Sequence, residues 1–235
     1  MRLRGTVRRV EALDEAVRDR MHGLLERYFS GVDRPTFERD LGAKDAVVLL
    51  EQEDGGLAGF TTFVVTLEHY LGQDLRVVFS GDTIVAEGHR NSTALITTWG
   101  RHMLDLAETE PSVPLYWFLI SMGYKTYRYL PLFLQDFYPS PRGTRDASLR
   151  PLLHHLVNAR FGEGFDPERE LITTWRDRTF LRSEAATVPP GREQEEEVAF
   201  FLSRNPGYDR GDELPCLGRL EVANFTPLVR RILKV

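Results

Sequence analysis

With 235 residues, 42% of them hydrophobic and 28% charged, the chain has the composition of an ordinary globular protein and not of a disordered one. A net charge of -5 offers no general attraction to nucleic acid, so no nucleic-acid partner is expected. The longest apolar run, around residues 115–120, is far too short to span a bilayer, and the opening Met-Arg-Leu-Arg-Gly is not a secretory signal, which together predict a soluble, cytoplasmic protein.

Cys216 is the only cysteine, so neither an internal disulfide nor a cysteine zinc cage is available, and its apolar neighbours predict a buried thiol. His154 and His155 are adjacent, about 100° apart on a helix, and cannot share a metal as an i, i+4 pair does. No metal is expected.

In chain order, a short strand over residues 3–10 precedes a helix over 13–29, where Val17, Met21, Leu24, Leu25 and Tyr28 recur at helical spacing. A second short helix is expected near 37–41. The period then changes: 46–51, 57–67 and 75–85 are β-rich and separated by turn residues, which predicts three consecutive antiparallel strands. From Ser92, with Ser92 or Thr93 as cap, Leu95, Ile96, Trp99, Met103 and Leu106 restore a helical stripe that ends before Pro111. A buried strand follows over 113–121, then a helix over 124–138 that Pro131 should kink or divide.

Strand, helices, three-strand meander, helix, strand, helix is an order that resembles the GNAT acyltransferase superfamily over residues 1–140. The resemblance implies an α/β (α+β) fold, a mixed central sheet flanked by helices whose fourth and fifth strands, here 75–85 and 113–121, part to form a notch for an acyl thioester. Residues 141–235 are expected as a mainly helical extension that packs on the same core or forms a lid.

In the family, a Gln/Arg-x-x-Gly-x-Gly/Ala turn after the fourth strand holds the cofactor pyrophosphate on backbone amides at a helix N-terminus. Here that place reads Glu87-Gly88-His89-Arg90-Asn91-Ser92-Thr93-Ala94, with Asn91 and Thr93 where the glycines would stand. Arg90, Asn91, Ser92 and Thr93 are the candidates for phosphate binding, and a capped, solvent-facing turn explains the same residues.

Ser80, Asp82 and Thr83 interrupt the apolar run of the fourth strand. Burying a lone carboxylate is costly, so Asp82 either holds a bulge or loop, or serves as a general base or binds the substrate amine, with Ser80 beside it as a substrate contact. Residues 116–138 concentrate nine aromatic side chains, which fill a core or line an apolar pocket for a medium or long acyl chain, with Trp117 and Phe118 as its contacts. The resemblance implies that Tyr124 or Tyr127 protonates the departing thiolate.

Beyond residue 143 a helix is expected over 149–161 and a short strand over 171–174. Val188-Pro189-Pro190-Gly191 reads as a loop, the acids at 193–197 as the start of another helix, and 205–213 as a structured loop with a lid or partner surface as the alternative. The implied activity is transfer of an acyl group from acyl-CoA, or from the acyl-pantetheine of an acyl carrier protein, to a small-molecule or peptide amine. The alternative is a non-catalytic GNAT-like module that binds a small molecule or a partner protein.

Overall fold

The computed structural model describes residues 3–90, 92–173 and 179–235. Within them one sheet takes its strands in sequential order: β1 Arg4–Arg9, β2 Ala46–Glu51, β3 Leu57–Tyr70, β4 Gln73–Val85, β5 Leu115–Ser121 and β6 Leu214–Arg219. Neighbours are antiparallel except β4 and β5, which run parallel. The helices are α1 Glu15–Tyr28, α2 Arg34–Gly42, α3 Ala94–Thr109, α4 Tyr124–Tyr127, α5 Tyr129–Phe133, α6 Leu149–Phe161, α7 Ser183–Ala186, α8 Glu196–Arg204 and α9 Pro227–Leu233. None is long and apolar enough to cross a membrane. The fold is the expected mixed α/β sheet flanked by helices, with the strand order that the resemblance implies, and its fourth and fifth strands pair in parallel.

Local chemistry explains most boundaries. Asp14 and Asp33 each accept a backbone N–H of the following turn, from Val17 and Thr36, and so start α1 and α2. Leu71 and Gly72, both at positive φ, make the tight turn between β3 and β4. A parallel pair needs a crossover, and α3 supplies it, packing Trp99 and Met103 on Val78 and Trp117. Arg76, 6% exposed, secures the far end of that crossover by donating to the carbonyls of Leu106, Ala107, Glu110 and Val113.

On the other face of the sheet, α1 and α2 cover one half with Met21, Leu24 and Phe37, and α6 covers the other with Leu152, Leu153 and Leu156. The two halves leave a channel between them over β4.

The structure refines three expectations. The stretch over 124–138 breaks at Arg128, not at Pro131; the proline occupies the third residue of α5, where a helix needs no N–H from it, and the chain turns extended at Leu134. The α3 cap is Thr93, but its side chain makes no capping bond. The loop expected up to 213 is followed by β6, which Pro215 and Gly218 had disguised. Leu217 exchanges hydrogen bonds with Tyr138 on the outer side, so Pro215, two residues earlier, also turns its nitrogen outward, where the ladder to β5 requires no donor. Cys216 within β6 is buried, as expected. Thr174, the end of the strand expected over 171–174, lies outside the described residues, and the observed strand is Leu171–Ile172.

The C-terminal third is tied down by Glu170, whose side chain is 6% exposed. It accepts from the Tyr138 hydroxyl, Arg150 and His154, each at 2.7 Å, and from Arg204. One carboxylate thereby joins α6, α8 and the segment after α5.

Candidate functional site: the cleft where β4 and β5 part

β4 and β5 remain paired from Arg76↔Leu115 to Ser80↔Leu119 and then separate. Past that rung β4 stays with β3 and β5 stays with β6, so among the described residues the edge of β4 over 81–85 has no strand beside it. Backbone donors and acceptors on such an edge are available to a ligand. The gap opens into a cleft of 1620 Å³, floored by residues 81–85 and walled by Tyr28 and Phe37 on one side and by 122–126, Arg160 and the segment 179–192 on the other.

A bulge shapes its floor. Thr61 pairs with Thr83 and Phe63 with Ser80, so Gly81 and Asp82 together face Thr62 alone. The extra residue reverses the alternation of β4: Phe79 and Ile84, odd and even, lie on the same face of the sheet. Asp82, at the bulge, lines the cleft. Burial pushes its pKa up, and the nearby Lys44 ammonium opposes the rise.

Lys44 follows α2 and reaches the floor across Gly81. A Cβ at position 81 would lie 2.5 Å from Thr62 Oγ1 and 2.6 Å from Lys44 Cε, so only glycine leaves the lysine its course. Its Nζ donates to the Asp40 carbonyl at 3.0 Å and stands 5.9 Å from the Phe79 ring centroid. Arg160, in the last turn of α6, lays its guanidinium 3.8 Å above the same ring. Burial lowers the pKa of both cations, and each of Lys44's other neighbours acts as its sign requires, Asp82 raising and Arg160 lowering it.

Towards the end of β4 a second group of cations gathers. Lys125 lowers its pKa through burial and through the charges of Arg90 and Arg192, which places three positive groups within electrostatic reach of one another on the cleft wall. Lys125 Nζ donates to Ala185 O at 2.9 Å, and Arg90 to Val85 O and Glu87. Off the same cleft a void of 20 Å³ lies beneath the sheet, bordered by Ser80, Thr83, Trp117 and Tyr129; Thr83, Thr126 and Tyr129 line both spaces.

Of the residues singled out in the sequence, Asp82, Arg90 and Tyr124 line the cleft, while Ser80 and Trp117 line the small void. Tyr124 is 2% exposed and its hydroxyl has no hydrogen-bond partner among the described residues. Tyr127 lines neither space; its hydroxyl donates to Pro139 O at 3.0 Å, and burial drives its pKa far up. Phe118 packs on the α6 side against Phe79 and Phe161. Ser92 and Thr93 are not part of the cleft wall, and Asn91 lies outside the described residues. The aromatic run is largely core: Trp117 stacks among Trp99 and Phe133.

Lys44, Lys125, Arg160, Arg192 and Tyr129 were not anticipated as site residues. One signal was present, since Lys44 and Lys125 are two of only three lysines in a chain whose other basic residues are arginine.

No protein-family model matches the chain, and no curated protein does. Solved structures do match. A GNAT-family N-acetyltransferase, YhbS, from Escherichia coli, solved in complex with CoA, is 17% identical over 57% of this chain and 70% of its own, with a TM-score of 0.39. A GNAT-family acetyltransferase from Staphylococcus aureus Mu50 is 10% identical over 53% of this chain and 78% of its own, TM-score 0.38. A conserved protein from Enterococcus faecalis V583, described as a probable N-acyltransferase, is 16% identical over 57% of this chain, TM-score 0.41; the match spans about a third of that protein, 33%. The Escherichia coli and Staphylococcus aureus proteins are described as members of the family that the sequence resembles.

Proposed function

We propose that the protein is an N-acyltransferase that moves a short acyl group from a coenzyme A thioester to an amine. The observation that carries this reading is the edge of β4 over 81–85, left without a neighbouring strand among the described residues, which opens the cleft beside a bulge that carries a half-buried carboxylate. An extended pantetheine arm, with its two amides, is a natural partner for such an edge. Arg90, Lys125 and Arg192 are suited to the phosphates of the donor. Arg90 and Arg192 already hold Glu87 at 3.4 Å and Glu195 at 3.1 Å, so the donor must displace these ion pairs, which favours coenzyme A, with more phosphate charge, over the single phosphodiester of a carrier-bound arm.

Asp82 takes a proton from the acceptor nitrogen as its lone pair attacks the thioester carbonyl. The unpaired amides of the β4 edge receive the carbonyl oxygen as it gains negative charge. The C–N bond forms, the C–S bond breaks, and the sulfur leaves with a proton from the otherwise unpartnered Tyr124 hydroxyl. The void off the cleft, 20 Å³, has room for about one methyl group or water. A short acyl group fits it, and a long chain does not.

The test is the thermal midpoint of the protein with coenzyme A and its thioesters of increasing acyl length, paired with thiol release in the presence of amines. A rise with acetyl or propionyl donors and amine-dependent thiol release support the reading; no rise with any thioester overturns it. The second reading, a module that binds without transfer, is favoured by the position of Ser92 and Thr93 off the cleft. It predicts a raised midpoint with no thiol release for any amine.

A further inference from the structure

The floor of the cleft around Phe79 bears on the acceptor, on the premise of the acyltransferase reading. Arg160 and Lys44 both stand against the Phe79 ring, and among the described residues neither has a carboxylate within ion-pair distance. Most other cations at the surface of this chain do have one: Arg18, Arg34, Arg142 and Arg150 each hold a carboxylate within 3.0 Å. Asp82 and Asp40 act on Lys44, and Glu68 on Arg160, from beyond ion-pair distance, so the two cations share one partly desolvated wall with no carboxylate bonded to either, a place that a ligand's oxyanion can take.

The geometry prepares them for that ligand. Phe79 is itself fixed by Phe118 and Phe161, with ring centroids 5.2 and 6.2 Å away. A guanidinium stacked on a fixed ring has lost its freedom to turn, yet its N–H edge remains open for a planar oxyanion. Lys44 is steered to the same wall by the absence of a side chain at Gly81, and Asp82 adjoins it on the bulge.

We propose that the acceptor amine carries an oxyanion, a carboxylate or a phosphate, that seats between Lys44 and Arg160 while its nitrogen faces Asp82. The charges fit the reaction. Before transfer, Lys44 and Arg160 face the carboxylates of Asp82, Asp40 and Glu68; once Asp82 has taken the amine proton, one of those negative charges is gone and the wall is more positive by one. An anion on the acceptor offsets that gain. A cationic group seated between Lys44 and Arg160 is repelled by both, so this position selects against acceptors with a second positive charge there as well as for anionic ones.

The experiment uses acceptor pairs that differ only in charge, with one short-chain coenzyme A thioester as donor: amino acids against their carboxamides, and amino sugars against their phosphates. Thiol release gives kcat and KM for the wild type, Arg160→Gln and Arg160→Lys. We expect each anionic member to exceed its neutral partner in kcat/KM by about tenfold or more, as for a charge-assisted hydrogen bond. Preference for the amino acids identifies a carboxylate, and preference for the amino sugar phosphates a phosphate. In Arg160→Gln the ratio should fall towards one, chiefly through KM of the anionic member, and Arg160→Lys should restore part of it. Equal use of charged and neutral amines by the wild type overturns the proposal, as does a ratio that Arg160→Gln leaves intact. If no thioester raises the midpoint and no amine releases thiol, the acyltransferase reading itself fails; if thiol is released for neutral amines alone, that reading stands and only the anionic acceptor falls.

Discussion

The indole N–H of Trp117 donates to the hydroxyl of Ser80 at 2.6 Å, on the last paired rungs before β4 and β5 separate. The bond ties the two strands together at the point where they part and closes the floor of the 20 Å³ void. It also explains why a polar residue interrupts the apolar run of β4: Ser80, 1% exposed, is the acceptor for a buried indole.

Trp117→Phe keeps most of the aromatic packing but removes that donor and leaves the Ser80 hydroxyl buried without it. Chemical denaturation should show a loss of about 1–3 kcal/mol. The enlarged void should also let longer acyl donors raise the thermal midpoint more than they do in the wild type. Unchanged chain-length selectivity would remove the void from the account of the acyl group.

Asp82→Asn should lower kcat by about a hundredfold or more with little loss of stability, because a half-buried carboxylate is replaced by a neutral side chain of the same shape. In the wild type, burial raises the Asp82 pKa and Lys44 opposes the rise, with Asp40 reinforcing it. A base works when deprotonated, so kcat/KM should climb with pH through a limb above the usual carboxylate value of 3.8. In Lys44→Met the opposing charge is gone, and the limb should move to higher pH. A limb that moves down would exclude Asp82 as the base.

Arg90→Ala and Lys125→Ala should each weaken binding of coenzyme A, measured by calorimetry, and should make that binding less dependent on salt, since fewer charges meet the donor's phosphates. Ser92→Ala, off the cleft, provides the comparison. Equal effects from all three would place the phosphates elsewhere.

Glu170 gives the fold a distinct acid sensitivity. Burial pulls its pKa up, but the hydrogen bonds from Tyr138, Arg150 and His154 outweigh this and bring it to about 2. A carboxyl group depressed in the folded state contributes stability above its unfolded pKa, near 4.5, and loses it as the pH falls towards 2. At neutral pH the contribution is about 3 kcal/mol. Glu170→Gln should therefore be destabilised at pH 7 and should show a flatter stability profile between pH 4.5 and 2 than the wild type, measured by urea unfolding.

The sequence by itself determined the order of the elements, because periodicity is a local property: the stripe of Leu95, Ile96, Trp99 and Met103 and the β-rich runs at 46–51 and 75–85 became α3, β2 and β4. It also marked Asp82, since an acid inside an apolar strand needs a reason whatever surrounds it. Where local signals conflicted it was less informative. Pro215 and Gly218 hid β6, whose strand character comes from its ladder with β5, and Arg128 divides a helix whose proline is harmless because it falls in a first turn.

Only the tertiary structure decided what stands around Asp82. Lys44, Phe79 and Arg160 are far apart in the chain and meet because β4 passes between the α1–α2 half and the α6 half of one face. A single extra residue at Gly81–Asp82 sets which way β4 turns its side chains there. Tyr124 and Tyr127, three residues apart and equivalent in the sequence, differ because one faces the cleft and the other bonds Pro139 in the core. Such convergence depends on strand register and on where pairing stops, and both are set by contacts across the whole sheet that no local pattern encodes.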